Sequence, residues 1–270
     1  MPTVVIDDQP LHYVDQGAGP VVLLGQSYLW DRQMWAPQIA ALSQKYRVIV
    51  PELWGHGESG PLPAQTRTLD DLARQALALL DHLEIAKVNL VGLSVGGMWG
   101  APLALLAPER VNSLVLMDTY LGAEPEATRE KYFALLSAIE ATGAISDPLL
   151  DIIVPIFFRP GIDHESALYQ DFRQSLSNLP KDRLLQSIVP LGRLIFGRGD
   201  AMEGLSDLNA ETTLVMCGRE DQPRPPAEAQ EMADLIGCDL ILIPEAGHIS
   251  SLENPDFVNE ALLTFLANHA

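Results

Sequence analysis

Short apolar runs and longer amphipathic stretches alternate along the first part of the chain. Val-Val-Leu-Leu at 21–24, Arg-Val-Ile-Val-Pro at 47–51, Lys-Val-Asn-Leu-Val-Gly at 87–92 and Val-Asn-Ser-Leu-Val-Leu-Met-Asp at 111–118 are brief and mostly apolar. Their length and β-branched content predict strands buried on both faces rather than surface helices. Between them, 34–46 and 68–83 space their apolar residues at helical intervals, and 98–107 is apolar almost throughout. Strands and helices in this alternation predict a parallel sheet with crossover helices.

From about Leu121 to Leu208 the rhythm changes. Helical patterns follow one another without a strand-like run, punctuated by Pro148, Pro155, Pro160, Pro180 and Pro190. The alternation then resumes, with strands at 213–218 and 239–244 and helices from about Ala227 and about Pro255. The expected organisation is an α/β core of residues 1–120 and 209–270, a mostly parallel doubly wound sheet, carrying a helical cap of residues 121–208. Pro102, inside the apolar stretch 98–107, predicts a bend in that helix.

Composition narrows the function. A chain of 270 residues, 47% hydrophobic, buries a substantial core without metals or disulfides. Its two cysteines, Cys217 and Cys238, give no disulfide framework, and Cys217 in Thr-Thr-Leu-Val-Met-Cys reads as a core residue. A net charge of -19 lacks the basic footprint that nucleic acid or an anionic membrane requires, and it disfavours strongly anionic substrates. The first residues show no basic segment followed by a long apolar one, and no run reaches the length of a membrane span. A cytoplasmic protein with no nucleic-acid or membrane partner is expected; assembly into a homo-oligomer stays open.

The candidate chemistry begins in Asn-Leu-Val-Gly-Leu-Ser-Val-Gly-Gly-Met, residues 89–98. Gly-Leu-Ser-Val-Gly fits the G-x-S-x-G pattern, in which a strand turns sharply into a helix with the serine at the apex. The pattern alone recurs by chance in glycine-rich chains. Here it follows a predicted strand and precedes a predicted helix, the context the turn demands. Ser94 is therefore the candidate nucleophile, and the Val95 amide, at a helix N-terminus, a candidate donor to an oxyanion.

A serine hydroxyl needs a base. Of six histidines, only His248 follows a late strand, in Leu-Ile-Leu-Ile-Pro-Glu-Ala-Gly-His-Ile-Ser, and precedes the last helix. Two carboxylates compete to orient it: Asp221 in Cys-Gly-Arg-Glu-Asp-Gln-Pro, and Asp118 at the end of Val-Leu-Met-Asp. Asp221 fits the chain order serine, acid, histidine. Either aspartate could instead cap its own turn.

These residues resemble the α/β-hydrolase superfamily over nearly the whole chain. Gly-Leu-Ser-Val-Gly-Gly-Met together with Pro-Glu-Arg-Val-Asn-Ser-Leu-Val-Leu-Met-Asp-Thr (108–119) is similar to its esterase, enol-lactonase and cofactor-free perhydrolase branch. The resemblance implies the α/β-hydrolase fold with the cap after the sixth strand, and a triad of Ser94, Asp221 and His248. It makes His56, in Gly-His-Gly-Glu-Ser, a support of the fold rather than a reacting group. It implies no metal and no organic cofactor. After the third strand the family usually carries His-Gly and then a large residue whose amide is the second oxyanion donor. Here Gln26 and Ser27 stand in the first two places and Tyr28 in the donor place. Gln26 serves either as a strut or as a substrate contact, and Ser27 and Trp30 are further candidate contacts of the loop or substrate.

The expected activity is hydrolysis of a small neutral carboxylic ester or lactone through an acyl-enzyme. The apolar segments Pro-Ile-Phe-Phe (155–158) and Arg-Leu-Ile-Phe (193–196) favour an apolar acyl group, although such side chains more often form a cap's own core. Two alternatives remain: carbon–carbon bond hydrolysis or cofactor-free perhydrolysis with the same triad, and a ligand-binding scaffold with little turnover.

Overall fold

The computed structural model describes residues 1–269. Eight strands form one sheet: β1 (Thr3–Ile6), β2 (Gln9–Gln16), β3 (Val21–Gly25), β4 (Arg47–Pro51), β5 (Val88–Leu93), β6 (Val111–Met117), β7 (Thr213–Gly218) and β8 (Asp239–Ile243). Their order is β1-β2-β4-β3-β5-β6-β7-β8, parallel from β4 onward and antiparallel at β1, β2 and β4. All residues of β5 and β7 are buried, as the uninterrupted apolar runs require of a sheet covered on both faces. The β1–β2 hairpin turns at Asp7 and Asp8, both at positive φ, and its alternating burial marks an edge with one wet face.

Helices form where the sequence pattern points, with one shift. The stretch 34–46 is a 3₁₀ turn over Arg32–Trp35, then α1 (Ala36–Leu42), then an irregular turn into β4. α2 (Leu69–His82) starts at a capping box, Thr68 accepting from the Asp71 amide while the Asp71 carboxylate accepts from the Thr68 amide. It buries Leu72, Ala76, Leu79 and Leu80 on one face. α3 (Val95–Leu106) runs through Pro102 as a single element.

Between β6 and β7 the chain is helical. The insert comprises α4 (Glu126–Thr142), α5 (Asp147–Ile153), α6 (Ala167–Ser177) and a helix at Val189–Phe196 preceded by a π turn over Leu184–Ile188; α4, α5 and the Val189–Phe196 helix line a cavity with Ser94 and His248. Two further helices, Pro226–Ile236 and Pro255–Ala267, complete the core. Strand order reverses around β3: the chain goes from β3 to β4 on one side and then returns to β5 on the other. Parallel sheets open a crevice at such a reversal, beyond the carboxyl ends of the strands. There the loops after β3 and β5 meet.

Candidate active site

Ser94 joins β5 to α3 at φ 56° and ψ −119°, a conformation that costs a non-glycine residue about 1–3 kcal/mol. The turn is held by its backbone: the Ser94 amide donates to Met117 O at 2.9 Å, and the amides of Gly97 and Met98 donate to Ser94 O. The Thr119 hydroxyl donates to the same carbonyl at 2.7 Å. A Cβ on Gly92 would strike the Gly96 carbonyl, and one on Gly96 would strike the Gly25 carbonyl. Both glycines are thus steric requirements of the close approach between the ends of β3 and β5 and the start of α3.

Two other loops converge on this serine. His248 Nε2 lies 3.0 Å from Ser94 Oγ, and His248 Nδ1 lies 2.9 Å from Asp221 Oδ2. Asp221 also accepts from the Arg224 amide at 3.0 Å, which fixes the carboxylate from its far side. All three side chains are buried. The chain around His248 is braced by Glu253, which accepts from the amides of Gly247 and Arg159.

Asp118 is close but differently engaged. Gly218 N–H donates to its Oδ1 at 2.6 Å, and its Oδ2 shares a hydrogen bond with the Ser250 hydroxyl; neither oxygen bonds to the imidazole. Burial and the neighbouring Asp221 push its pKa well above the ordinary carboxylate range, while Asp221 faces the histidine. Asp118, Asp221 and Cys217 bring one donor atom each within 4.8 Å of one another, a cluster that could hold a cation. Each of those groups already has hydrogen-bond partners in the protein, and burial pushes the Cys217 thiol up, away from the thiolate a metal needs.

The loop after β3 shows how the unusual Gln26-Ser27-Tyr28 is accommodated. Gln26 is buried and its side-chain amide donates to Trp30 O, so it is a strut of the loop and does not line the cavity at Ser94. Ser27 is also buried away from that cavity, and its amide faces Met34 Sδ at 3.1 Å. Trp30 stacks on Phe172 with ring centroids 4.0 Å apart, which makes it a loop-to-insert contact instead of a wall of the cavity. His56 supports the loop from behind: its Nε2 accepts from the Leu29 amide at 2.9 Å and its Nδ1–H donates to Trp54 O. Burial drives its pKa down to about 4, which keeps the ring neutral and able to accept. Among the described residues, the Tyr28 and Val95 amides have no hydrogen-bond acceptor.

A cavity of about 80 Å³ opens over Ser94 and His248. Its walls are mostly apolar, with Met98 from α3 and Ile139, Ile156, Phe157, Ile195 and Phe196 from the insert. Parts of both apolar insert segments therefore face the cavity and are not confined to the insert's own core. One stretch of wall is charged, through Glu124 and Arg224. Glu124 pairs with Arg198 at 3.0 Å and also with Arg224, all three buried, and Glu228 stands 3.4 Å from Arg224. Burial pushes Glu228 up to about 7, against the pull of Arg224. Chemically, the constellation offers a hydroxyl with an adjacent base, a carboxylate to steady the base, and two free amides nearby, in a mostly apolar enclosure.

Comparison with known proteins gives the following. A family model described as alpha/beta hydrolase fold matches residues 20–139. The chain is 32% identical over 260 residues to the dihydrolipoyllysine-residue acetyltransferase component of the acetoin cleaving system of Pseudomonas putida, covering 94% of this chain and 65% of that one. It thus spans about two-thirds of that relative's length. It is 27% identical over 241 residues to 3-oxoadipate enol-lactonase 1 of Acinetobacter baylyi, covering 88% of this chain and 85% of the relative. Among solved structures, a thermophilic esterase from Thermogutta terrifontis superposes with a TM-score of 0.83 at 28% identity, covering 97% of this chain and 95% of the other. Among the described residues, no helix is long and apolar enough to cross a membrane.

Proposed function

Because the chain belongs to the α/β-hydrolase superfamily, we propose that it cleaves a small carboxylic ester or lactone, neutral at the reacting group, with Ser94 as nucleophile. The single observation that supports this reading most is the imidazole of His248 spanning Ser94 Oγ and Asp221 Oδ2 at 3.0 and 2.9 Å.

On this reading His248 Nε2 takes the proton of Ser94 as its oxygen attacks the carbonyl carbon, and Asp221 holds the imidazolium that results. The amides of Tyr28 and Val95 stabilise the negative charge on the carbonyl oxygen; each such donor lowers the barrier by about 3 kcal/mol. The tetrahedral adduct collapses as His248 returns its proton to the leaving alkoxide. Water, deprotonated by the same nitrogen, then releases the acid and restores Ser94. The small, mostly apolar cavity fits a short apolar acyl group. The binding-scaffold alternative drew its support from Gln26-Ser27, and Gln26's role as a strut removes that support.

The test is a panel of p-nitrophenyl esters and simple lactones, with product analysis in the presence and absence of hydrogen peroxide. Acid release from short-chain esters that disappears in Ser94→Ala supports the proposal. Peracid as the dominant product would move the assignment to perhydrolysis, and no turnover across the panel would sink it.

A further inference from the structure

Of the polar side chains in the loop that carries the Tyr28 amide, Gln26 reaches Trp30 O through its NH2 group, but much of the remaining polarity has no partner. Gln26 Oε1, Ser27 Oγ and Trp30 Nε1 are buried without a partner. Two outside groups hold it as well. One is His56, through the Leu29 amide. The other is reached by Tyr28 itself, whose hydroxyl donates to the Ile188 carbonyl at 2.7 Å, 160 residues along the chain.

The receiving end is built for that hydroxyl. Ile188 closes the π turn Leu184–Ile188, where Val189 N–H donates to Leu184 O instead of continuing the α-helical register. Insertions of this kind displace a helix's carbonyls from their usual directions. One turn further on, a Cβ at Gly192 would lie 2.6 Å from the Tyr28 hydroxyl oxygen, so the socket exists only with glycine there. The phenol ring is wedged edge-on between His56 and Phe196, at 5.7 and 5.9 Å between centroids. The π turn is in turn moored to the sheet side, because Ser187 Oγ accepts from the Leu62 amide at 3.0 Å.

We propose that the Tyr28 hydroxyl is a positioning group: by bonding to Ile188 across the socket at Gly192, it makes the helical insert hold the Tyr28 amide where the oxyanion forms. The inference rests on the serine-hydrolase reading above. The phenol stays a donor across the working pH range, since burial raises its pKa. Displacement of the π turn would move the oxyanion donor with it.

Tyr28→Phe is the test, because it keeps the ring and the backbone amide and removes one oxygen. On p-nitrophenyl butyrate, kcat should fall about tenfold with KM within about twofold, the pattern of an interaction realised in the transition state. The rate of Ser94 labelling by a fluorophosphonate, which also develops an oxyanion, should fall in parallel. Gly192→Ala, which pushes on the same hydroxyl from the insert side, should lower kcat in the same way. A merely structural bond would lower the melting temperature and leave kcat intact well below it; that result in Tyr28→Phe overturns the inference. A wild type that hydrolyses no ester and takes no label sinks the functional reading and this inference together, whereas an active wild type with unchanged kcat in Tyr28→Phe sinks the inference alone.

Discussion

Two buried aspartates stand at the rim of the sheet, and exchanging each for asparagine separates their roles. Asp221 Oδ2 lies 2.9 Å from His248 Nδ1. When His248 accepts the serine proton, a unit positive charge faces that carboxylate. At an effective dielectric constant of ~20, charges at this separation attract by about 6 kcal/mol. At about 1.4 kcal/mol per tenfold in rate, Asp221→Asn should lower kcat/KM by about 10⁴. Asparagine also presents an N–H to the imidazole and favours the wrong tautomer. Burial and Asp221 disfavour the charged form of Asp118, and its oxygens accept from the Gly218 amide and the Ser250 hydroxyl. Asparagine is neutral and nearly the same shape: its Oδ1 accepts from the Gly218 amide, and its Nδ2 donates to Ser250 once that hydroxyl turns. Asp118→Asn should therefore change kcat/KM by less than about fivefold. Initial rates on one p-nitrophenyl ester from pH 6 to 9, with circular dichroism to show that both variants fold, make the comparison. Activity lost in Asp118→Asn and kept in Asp221→Asn would refute the assignment of the acid.

Three further outcomes follow from the packing. Gly92→Ala puts a methyl group against the Gly96 carbonyl, and this overpacking should cost about 1–3 kcal/mol in urea unfolding and slow Ser94 labelling; a variant as stable and reactive as wild type contradicts the elbow described here. Glu124→Gln removes the anion paired with Arg198 and one of the two beside Arg224 and should destabilise by about 3–5 kcal/mol, so a loss under about 1 kcal/mol would show that Arg198 finds another partner and Glu228 suffices for Arg224. His56 has its folded-state pKa lowered from 6.5 to about 4, so its contribution to stability is present above pH 6.5 and is lost as pH falls toward 4. In His56→Gln the slope of unfolding free energy against pH between 4 and 6.5 should flatten by up to one proton; an unchanged slope means His56 is not the group responsible.

How much of this was legible in the sequence depends on the range of each cause. The elbow was legible because its crowding is local: Gly92, Ser94 and Gly96 fall within five residues, between a strand and a helix that announce themselves. His248 was legible because the ends of parallel strands share one rim. The choice between Asp118 and Asp221 was less so, since both follow strands that end there. What separates them is bonding from Asp118 to Gly218 and Ser250, 100 and 132 residues distant. The tie from Tyr28 to Ile188 and the cluster of Glu124, Arg198 and Arg224 are likewise long-range and leave no periodic trace. The β1–β2 hairpin escaped notice because its strands are half polar, with the buried apolar side chains on alternate positions only. The overlong helix at 34–46 came from an apolar pattern that continues past α1 into the turn before β4, where Tyr46 is buried without being helical.

The most direct measurement is peptide mapping after reaction with a fluorophosphonate. The account predicts a stoichiometric adduct on Ser94, absent in Ser94→Ala and formed at least about a hundredfold more slowly in His248→Ala. An adduct on another side chain, no adduct at all, or wild-type labelling kinetics without the imidazole would contradict it.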